Sequence, residues 1–467
     1  MKKVKIETDK LLGEEKILPT MAKLALPAVV AQLVNLLYSL VDRIYIGHIP
    51  DVGSDALAGL GVSGTVILLV SAFASLVGGG GAPLASIALG RGERERAENI
   101  LGNCALLVLA FGTLCLAICY LLMGPLLRFA GASEVTIPFA RQYLNIYLIG
   151  TFFVIAASGL NMFISAQGKS GVAMLSVLIG AVLNTLLDPI FIFAFDLGIR
   201  GAAIATVIAQ GVSAAFVIGF LFSSHSTIRL IPDYMRPNKE LILSILSLGV
   251  SPFVMASTES LVGFTLNGTL SRVGGDAYVA ALAIMQSAMQ IISIPLMGFT
   301  QGVSPLIGYN YGHKNHERVK ETFYYTQFIG VGFNFLGFLF MILAPRVVAR
   351  MFTNDPTLIM IVGEYMPIFL LGMLIFGLQR VRQITFVALG DARISVLIAL
   401  LRKVLLLVPL VLLFSSIFGV VGVFIAEAVA DATAAISCTV IFHFRFPYLL
   451  KKNEERENTA FSTKNVQ

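Results

Sequence analysis

Twelve stretches of this chain are each apolar for long enough to cross a lipid bilayer, and that succession limits its fold more than any other feature. The runs are centred near Val34, Leu69, Leu109, Leu148, Leu178, Val212, Leu261, Met289, Gly332, Leu371, Leu405 and Ala432. A spanning helix needs about 20 apolar residues, whereas soluble cores bury shorter runs. Backbone amides cannot stay unpaired in hydrocarbon, so spans of this length are expected to be helices. Barrel strands alternate apolar and polar residues, and these runs do not. With 13% charged residues against roughly 25% in soluble domains, the chain reads as an all-α polytopic membrane protein. Its basic start, "MKKVKIETDKLLGEEK", leads into a run too long for a signal peptide, so the first span is expected to be retained.

Basic residues give the orientation. Lys2, Lys3, Lys5, Lys10 and Lys16 precede span one, and "RGERER" (91–96), Lys169, "RLIPDYMRPNKE" (229–240), "HKNHERVK" (313–320), Arg393, Lys451 and Lys452 fill every second loop thereafter. The intervening loops are poorer, although Arg128, Arg346 and Arg350 fall among them. Both termini are therefore expected in the cytoplasm of a cell-membrane protein. The net charge of +6 then reflects topology, and no nucleic-acid partner is expected.

An internal repeat organises the spans. "GGGGAPLASIALGRGERERAENI" (78–100) returns as "TQGVSPLIGYNYGHKNHERVKET" (300–322), "FISAQGKSGVAML" (163–175) as "TFVALGDARISVL" (385–397), and the segment from Asp188 returns loosely from Val408, always near 220 residues on. Each half holds six spans, an even number, so the halves enter from the same side. This predicts two parallel six-helix lobes related by a pseudo-twofold axis along the membrane normal. The expected parts are a cytoplasmic segment 1–20, a first lobe 21–222, a linker 223–240, a second lobe 241–447 and a cytoplasmic tail 448–467. Pro27 and Pro252, and Pro189 and Pro409, fall at matching places and suggest bends.

The four cysteines lie within spans, where thiols act as apolar filler. Gly168-Lys169-Ser170 ends like a phosphate loop, but Phe163 stands where its first glycine belongs. No histidine lies at mid-membrane, so no catalytic residues, enzyme activity or organic cofactor are expected. The polar residues that remain inside spans carry the chemistry. Asn35, Tyr38 and Asp42 follow at i, i+3 and i+7 on one face of span one, and Asn184 and Asp188 stack at i and i+4 on span five. Span four offers Tyr143 and Asn161, and span six Thr206 and Gln210. Asp42 reads as a buried carboxylate that binds and releases a cation, as the partner of Arg43, or as a side chain snorkelling to the surface. For Asp188, before Pro189, a local cap at a bend is the other reading. In the second half Glu259 faces either a cationic substrate or an ion pair with Arg380 or Arg382. Arg402 and Lys403 read as anchors near the cytoplasmic end of span eleven.

The repeat, "YSLVDRIYIGHIPDVGSDALAGLGV" on spans one and two, "AQGKS" after span four, "LNTLLDPIFIFAFDLGIRGAAIAT" across spans five and six, and "GVSPLIGYNYG" after span eight together resemble the MATE family, the multidrug and toxic compound extrusion transporters. The resemblance runs from Lys16 to Tyr448 and is nearest the DinF-like and MepA-like bacterial branches. It implies a V-shaped, monomeric antiporter that expels cationic or amphipathic drugs and dyes in exchange for H⁺ or Na⁺. It also implies a coupling site, a possible Na⁺ site, at Asp42, Asn184, Asp188 and Thr206, with Tyr38, Tyr143 and Asn161 nearby. "FGLQRVRQITF" (376–386) departs from the NorM-like branch by supplying arginines where that branch has a sodium-site acid. Between the lobes a soft-walled cavity is expected, near Asn35, Met255, Glu259, Met285 and Met289. A flippase for a lipid-linked oligosaccharide or polysaccharide precursor, of similar two-lobe fold, is the alternative; Arg380 and Arg382 favour it and Asp42 and Asp188 oppose it.

Overall fold

Residues 2–464 are described by a computed structural model, so Met1 and the last three residues of the expected tail lie outside it. Nine long apolar helices come first: α1 (Ile17–Gly47), α2 (Gly53–Gly90), α3 (Arg94–Leu121), α4 (Thr136–Ala166), α5 (Ser170–Ala194), α6 (Gly198–Phe222), α7 (Lys239–Val273), α8 (Asp276–Gly312) and α9 (His316–Leu343). α10 is a broken span, Pro356–Phe369 and Met373–Ala388, bent by 53°, and Leu371, the expected centre of span ten, sits in the bend. A final helical run, Arg393–Glu455, is divided at Gly419, whose φ of 61° and ψ of −134° no helix accommodates. It supplies α11 (393–418) and α12 (420–455), which completes the twelve expected spans. The described residues contain no strand. Large apolar side chains point outward along the bundle, Leu121, Phe328 and Leu343 among them, as a hydrocarbon solvent permits and water does not.

The repeat is visible in the backbone. Left-handed residues recur at equivalent places in the two halves: Asp51 and Gly275, Gly92 and Lys314, Gly168 and Gly390, Gly198 and Gly419. Wide π-helical turns also recur, at Ile190–Ala194 directly after Pro189 and at Leu401–Leu407, one residue short of Pro409. Pro27 and Pro252, by contrast, lie within uninterrupted helix.

The lobes meet at the end that carries the basic loops and part at the other. A β-carbon on Gly90 of α2 would fall 1.9 Å from the Tyr309 carbonyl oxygen of α8, and one on Gly312 would fall 2.0 Å from that of Ile87. Each contact is the repeat image of the other, the reciprocity that a twofold axis imposes. Gly249 of α7 likewise rests on Leu76, and Gly302 of α8 on Ala25 of α1. Toward the far end Gly61 and Gly64 of α2 and Gly263 and Gly268 of α7 face open space. The apolar core follows the same division. One cluster runs through the first lobe into Val303, Leu306 and Phe386 of the second, while Leu266, Met285, Phe424 and Val411 form a separate cluster in the far half of the second lobe.

The connections at the closed end are fixed. Gln167 Oε1 accepts from the backbone N–H of Thr227 at 2.5 Å, and Asn103 Oδ1 accepts from that of Asn238 at 2.8 Å, which binds both ends of the linker to the first lobe. The amino-terminal segment crosses between lobes. Thr8 bonds Thr227 at 2.9 Å, Tyr309 donates to Asp9 at 2.9 Å, and Asn310 and Arg318 donate to the Leu12 carbonyl. Leu12 is fully buried.

Candidate functional site

Two acids are buried in the open half of the first lobe. α1 packs along α5, and α5 along α6, so residues on their facing sides converge. Asp42, Asn184, Asp188 and Thr206 are all buried, Asp188 completely. Asn184 Nδ2 donates to Asp188 Oδ1 at 3.3 Å and to Thr206 Oγ1 at 3.4 Å, and Thr206 Oγ1 donates in turn to the Ala202 carbonyl at 2.9 Å. Asp42 and Asp188 lie within electrostatic reach of each other. The Tyr38 hydroxyl faces Gln210 and that of Tyr143 faces Thr206. Tyr143 and Tyr147, both buried, stack at 5.7 Å and close the cluster off from α4.

Three oxygens of this cluster have no hydrogen-bond partner: Asp42 Oδ1, Asn184 Oδ1 and Asp188 Oδ2. Buried acceptors are nearly always satisfied, and an unpaired charge in low dielectric is costly. Arg43 does not answer the charge. It is exposed on the helix face beyond Asp42, about 100° round, and no ion pair joins the two among the described residues. A proton or a hard cation bound by oxygen is what such a donor set takes.

The other expected residues fall elsewhere. Asn35 is exposed on α1. Asn161 donates to the Ala173 carbonyl at 3.1 Å, and Ala173 lies about 22 Å along α5 from Asp188 at 1.5 Å per residue, so Asn161 does not join the cluster. Met285 is fully buried in the second-lobe core, which corrects its expected place on a cavity wall. Met289 is partly buried against the same core, and Met255 receives Gln383 Nε2 at 3.3 Å.

The second lobe holds charge differently. Glu259 pairs with Lys403 and not with Arg380 or Arg382, which corrects the expected partners. Arg382 instead donates to Thr439 Oγ1 at 2.6 Å. Arg402 binds Asp431 Oδ1 at 2.5 Å and lies 4.7 Å over the Phe376 ring. Arg402 and Lys403 are not anchors at a helix end; they occupy the π-helical turn inside α11, and Lys403 is buried. The signal for this was in the sequence: Gly390 ends the preceding helix, and Lys403, ten residues into the next, lies about 15 Å along it.

The MatE family model matches residues 27–190 and 252–413, once in each lobe. A multidrug export protein MepA from Staphylococcus haemolyticus is 24% identical over 431 residues, 92% of this chain and 94% of its own, and one from Staphylococcus aureus strain MRSA252 is 24% identical over 91% and 93%. Among solved structures, a MATE protein in a bent conformation superposes with a TM-score of 0.89 at 22% identity, covering 96% of this chain and 99% of its own. An outward-facing multidrug resistance MATE transporter gives 0.87 at 22% identity, over 95% and 98%. At these identities the structural likeness speaks for the fold.

Proposed function

Because the chain belongs to the MATE family, we propose that it is a secondary multidrug exporter, exchanging cationic or amphipathic small molecules for H⁺ or Na⁺ through Asp42, Asn184, Asp188 and Thr206. The observation that carries this reading is the set of three unpartnered oxygens on Asp42, Asn184 and Asp188, buried together where no basic side chain among the described residues forms an ion pair with them. The relatives named as multidrug export proteins supply the substrate class. The basic loops at the closed end support a cytoplasmic position for that end and an outward-opening cleft.

Cation binding removes the cost of the buried charge and so favours whichever conformation holds the bound site. α1 passes that preference on, because it carries Asp42 near one end and packs Ala25 and Val29 on Gly302 and Gly298 of the second lobe near the other. Alternation between outward and inward openings then couples cation entry to substrate exit. H⁺ is the favoured ion, since a carboxylate and its neighbours suffice for it, whereas Na⁺ needs several oxygens to converge.

The test is dye efflux from proteoliposomes under separately imposed pH and sodium gradients. Asp42→Asn and Asp188→Asn should each abolish gradient-driven efflux while equilibrium dye binding is retained. Gradient-driven transport surviving in Asp42→Asn would falsify the assignment.

A further inference from the structure

Glu259 lies on the side of α7 that faces the first lobe. Pro252, seven residues earlier and hence on the same face, packs on Gly79 of α2, and Phe253 meets Phe73 of α2 at 5.1 Å between ring centroids. One turn beyond Glu259 on the same face, Gly263 meets no neighbour, so the lobes have parted there. The Glu259 side chain is accordingly 62% exposed, at the cleft, although its partner Lys403 is only 8% exposed. A carboxylate open to the cleft is thus held from behind by an ammonium group belonging to the protein.

The surroundings give that ammonium group a second place to go. Glu427 on α12 is buried and its Oε2 has no hydrogen-bond partner. It lies within electrostatic reach of Lys403 and Arg402. Arg402 is committed to Asp431 and to the Phe376 ring, and Arg380 adds positive charge within reach of Glu259. Lys403 is the flexible member, a point charge on a four-carbon stem. It also sits in a π-helical turn, a backbone form enriched at functional sites.

We propose that Lys403 is the resident counter-cation of Glu259, displaced by a weakly hydrated organic cation entering the cleft, and that Glu427 receives the displaced ammonium. This rests on the export reading above and names the class of substrate the second lobe takes. A weakly hydrated organic cation has the advantage here, because it gives up less on leaving water than a small, strongly hydrated ion does. No net charge enters the lobe unpaired: Glu259 passes from one cation to another, and Lys403 from one carboxylate to another.

Equilibrium binding to the purified full-length protein tests this without any gradient, using tetraphenylphosphonium and its neutral near-isostere triphenylphosphine oxide. Lys403→Met removes the internal competitor and should tighten tetraphenylphosphonium binding about 10-fold, leaving the neutral compound unchanged. Glu427→Gln removes the alternative partner and should weaken tetraphenylphosphonium binding about 10-fold. Glu259→Gln should abolish the preference for the cation. Wild-type affinity in either Lys403→Met or Glu427→Gln overturns the proposal, and Glu427→Gln alone decides if Lys403→Met does not fold. Wild-type protein that binds neither compound counts against the export reading itself, whereas binding of both with Lys403→Met unchanged counts against this inference alone.

Discussion

Both lobes bury acids in the membrane, and they treat them in opposite ways. In the first, Asp42 and Asp188 pair with no basic side chain among the described residues, and Asp42 Oδ1 and Asp188 Oδ2 stay unpartnered. In the second, Glu259 and Asp431 each meet a basic side chain from α11. Acids that meet the protein's own cations are answered within the fold; acids that lack them must take a cation from solution. The repeat supplies two equivalent scaffolds, and the difference in charge gives them different tasks.

The sharpest way to break this comparison is to remove an acid from each lobe and follow unfolding of the purified protein. Asp431→Asn strands the buried Arg402 charge and should lower stability by about 3–5 kcal/mol. Asp42→Asn strands nothing and should stay within about 1 kcal/mol of wild type. Equal losses would mean that the acids of the first lobe are paired after all.

The second prediction replaces the pair in α11 and α12 altogether. Arg402→Met with Asp431→Leu should recover the loss and leave a protein as stable as wild type or about 1–4 kcal/mol more so, as apolar replacements of buried ion pairs do. A double variant no better than Asp431→Asn would show that Arg402 contributes through the Phe376 ring instead.

A third change gives the first lobe what the second already has. Asn184→Lys places an ammonium group one helical turn from Asp188, on the same face. Overpacking at this buried position should cost about 1–3 kcal/mol, while gradient-driven efflux is lost because the resident cation never leaves. Efflux that persisted would separate Asp188 from coupling. The smallest effect belongs to a pair in water: Glu15→Gln, which releases Lys23 at the closed end, should cost about 0.2–1 kcal/mol.

Spans, repeat and the open first-lobe cluster are legible in the sequence because each leaves a local mark. Apolar runs mark helices, the i, i+4 spacing of Asn184 and Asp188 marks a shared face, and the 220-residue echo marks two lobes. The Glu259–Lys403 pair leaves none. Its members stand on different helices of the second lobe, and only packing says which of several cations Glu259 meets. Met285 fails for a related reason: periodicity groups residues by face but does not say whether that face turns to a cleft or to the interior of its own lobe. The division of the last helix at Gly419 was readable only as an expected break between two apolar runs, and its left-handed backbone emerged from the structure.

The segment that precedes α1 lies across both lobes where they already touch. Any motion that parted them at that end must release the segment on one side or the other, either Thr8 from Thr227 or Asp9 and the Leu12 carbonyl from Tyr309, Asn310 and Arg318. The segment therefore acts as ballast, weighting the molecule toward the shape described. An affinity tag or fusion partner joined ahead of it is not attached to an idle tail: it loads one pan of a conformational balance, and transport rates measured on such a protein carry that load.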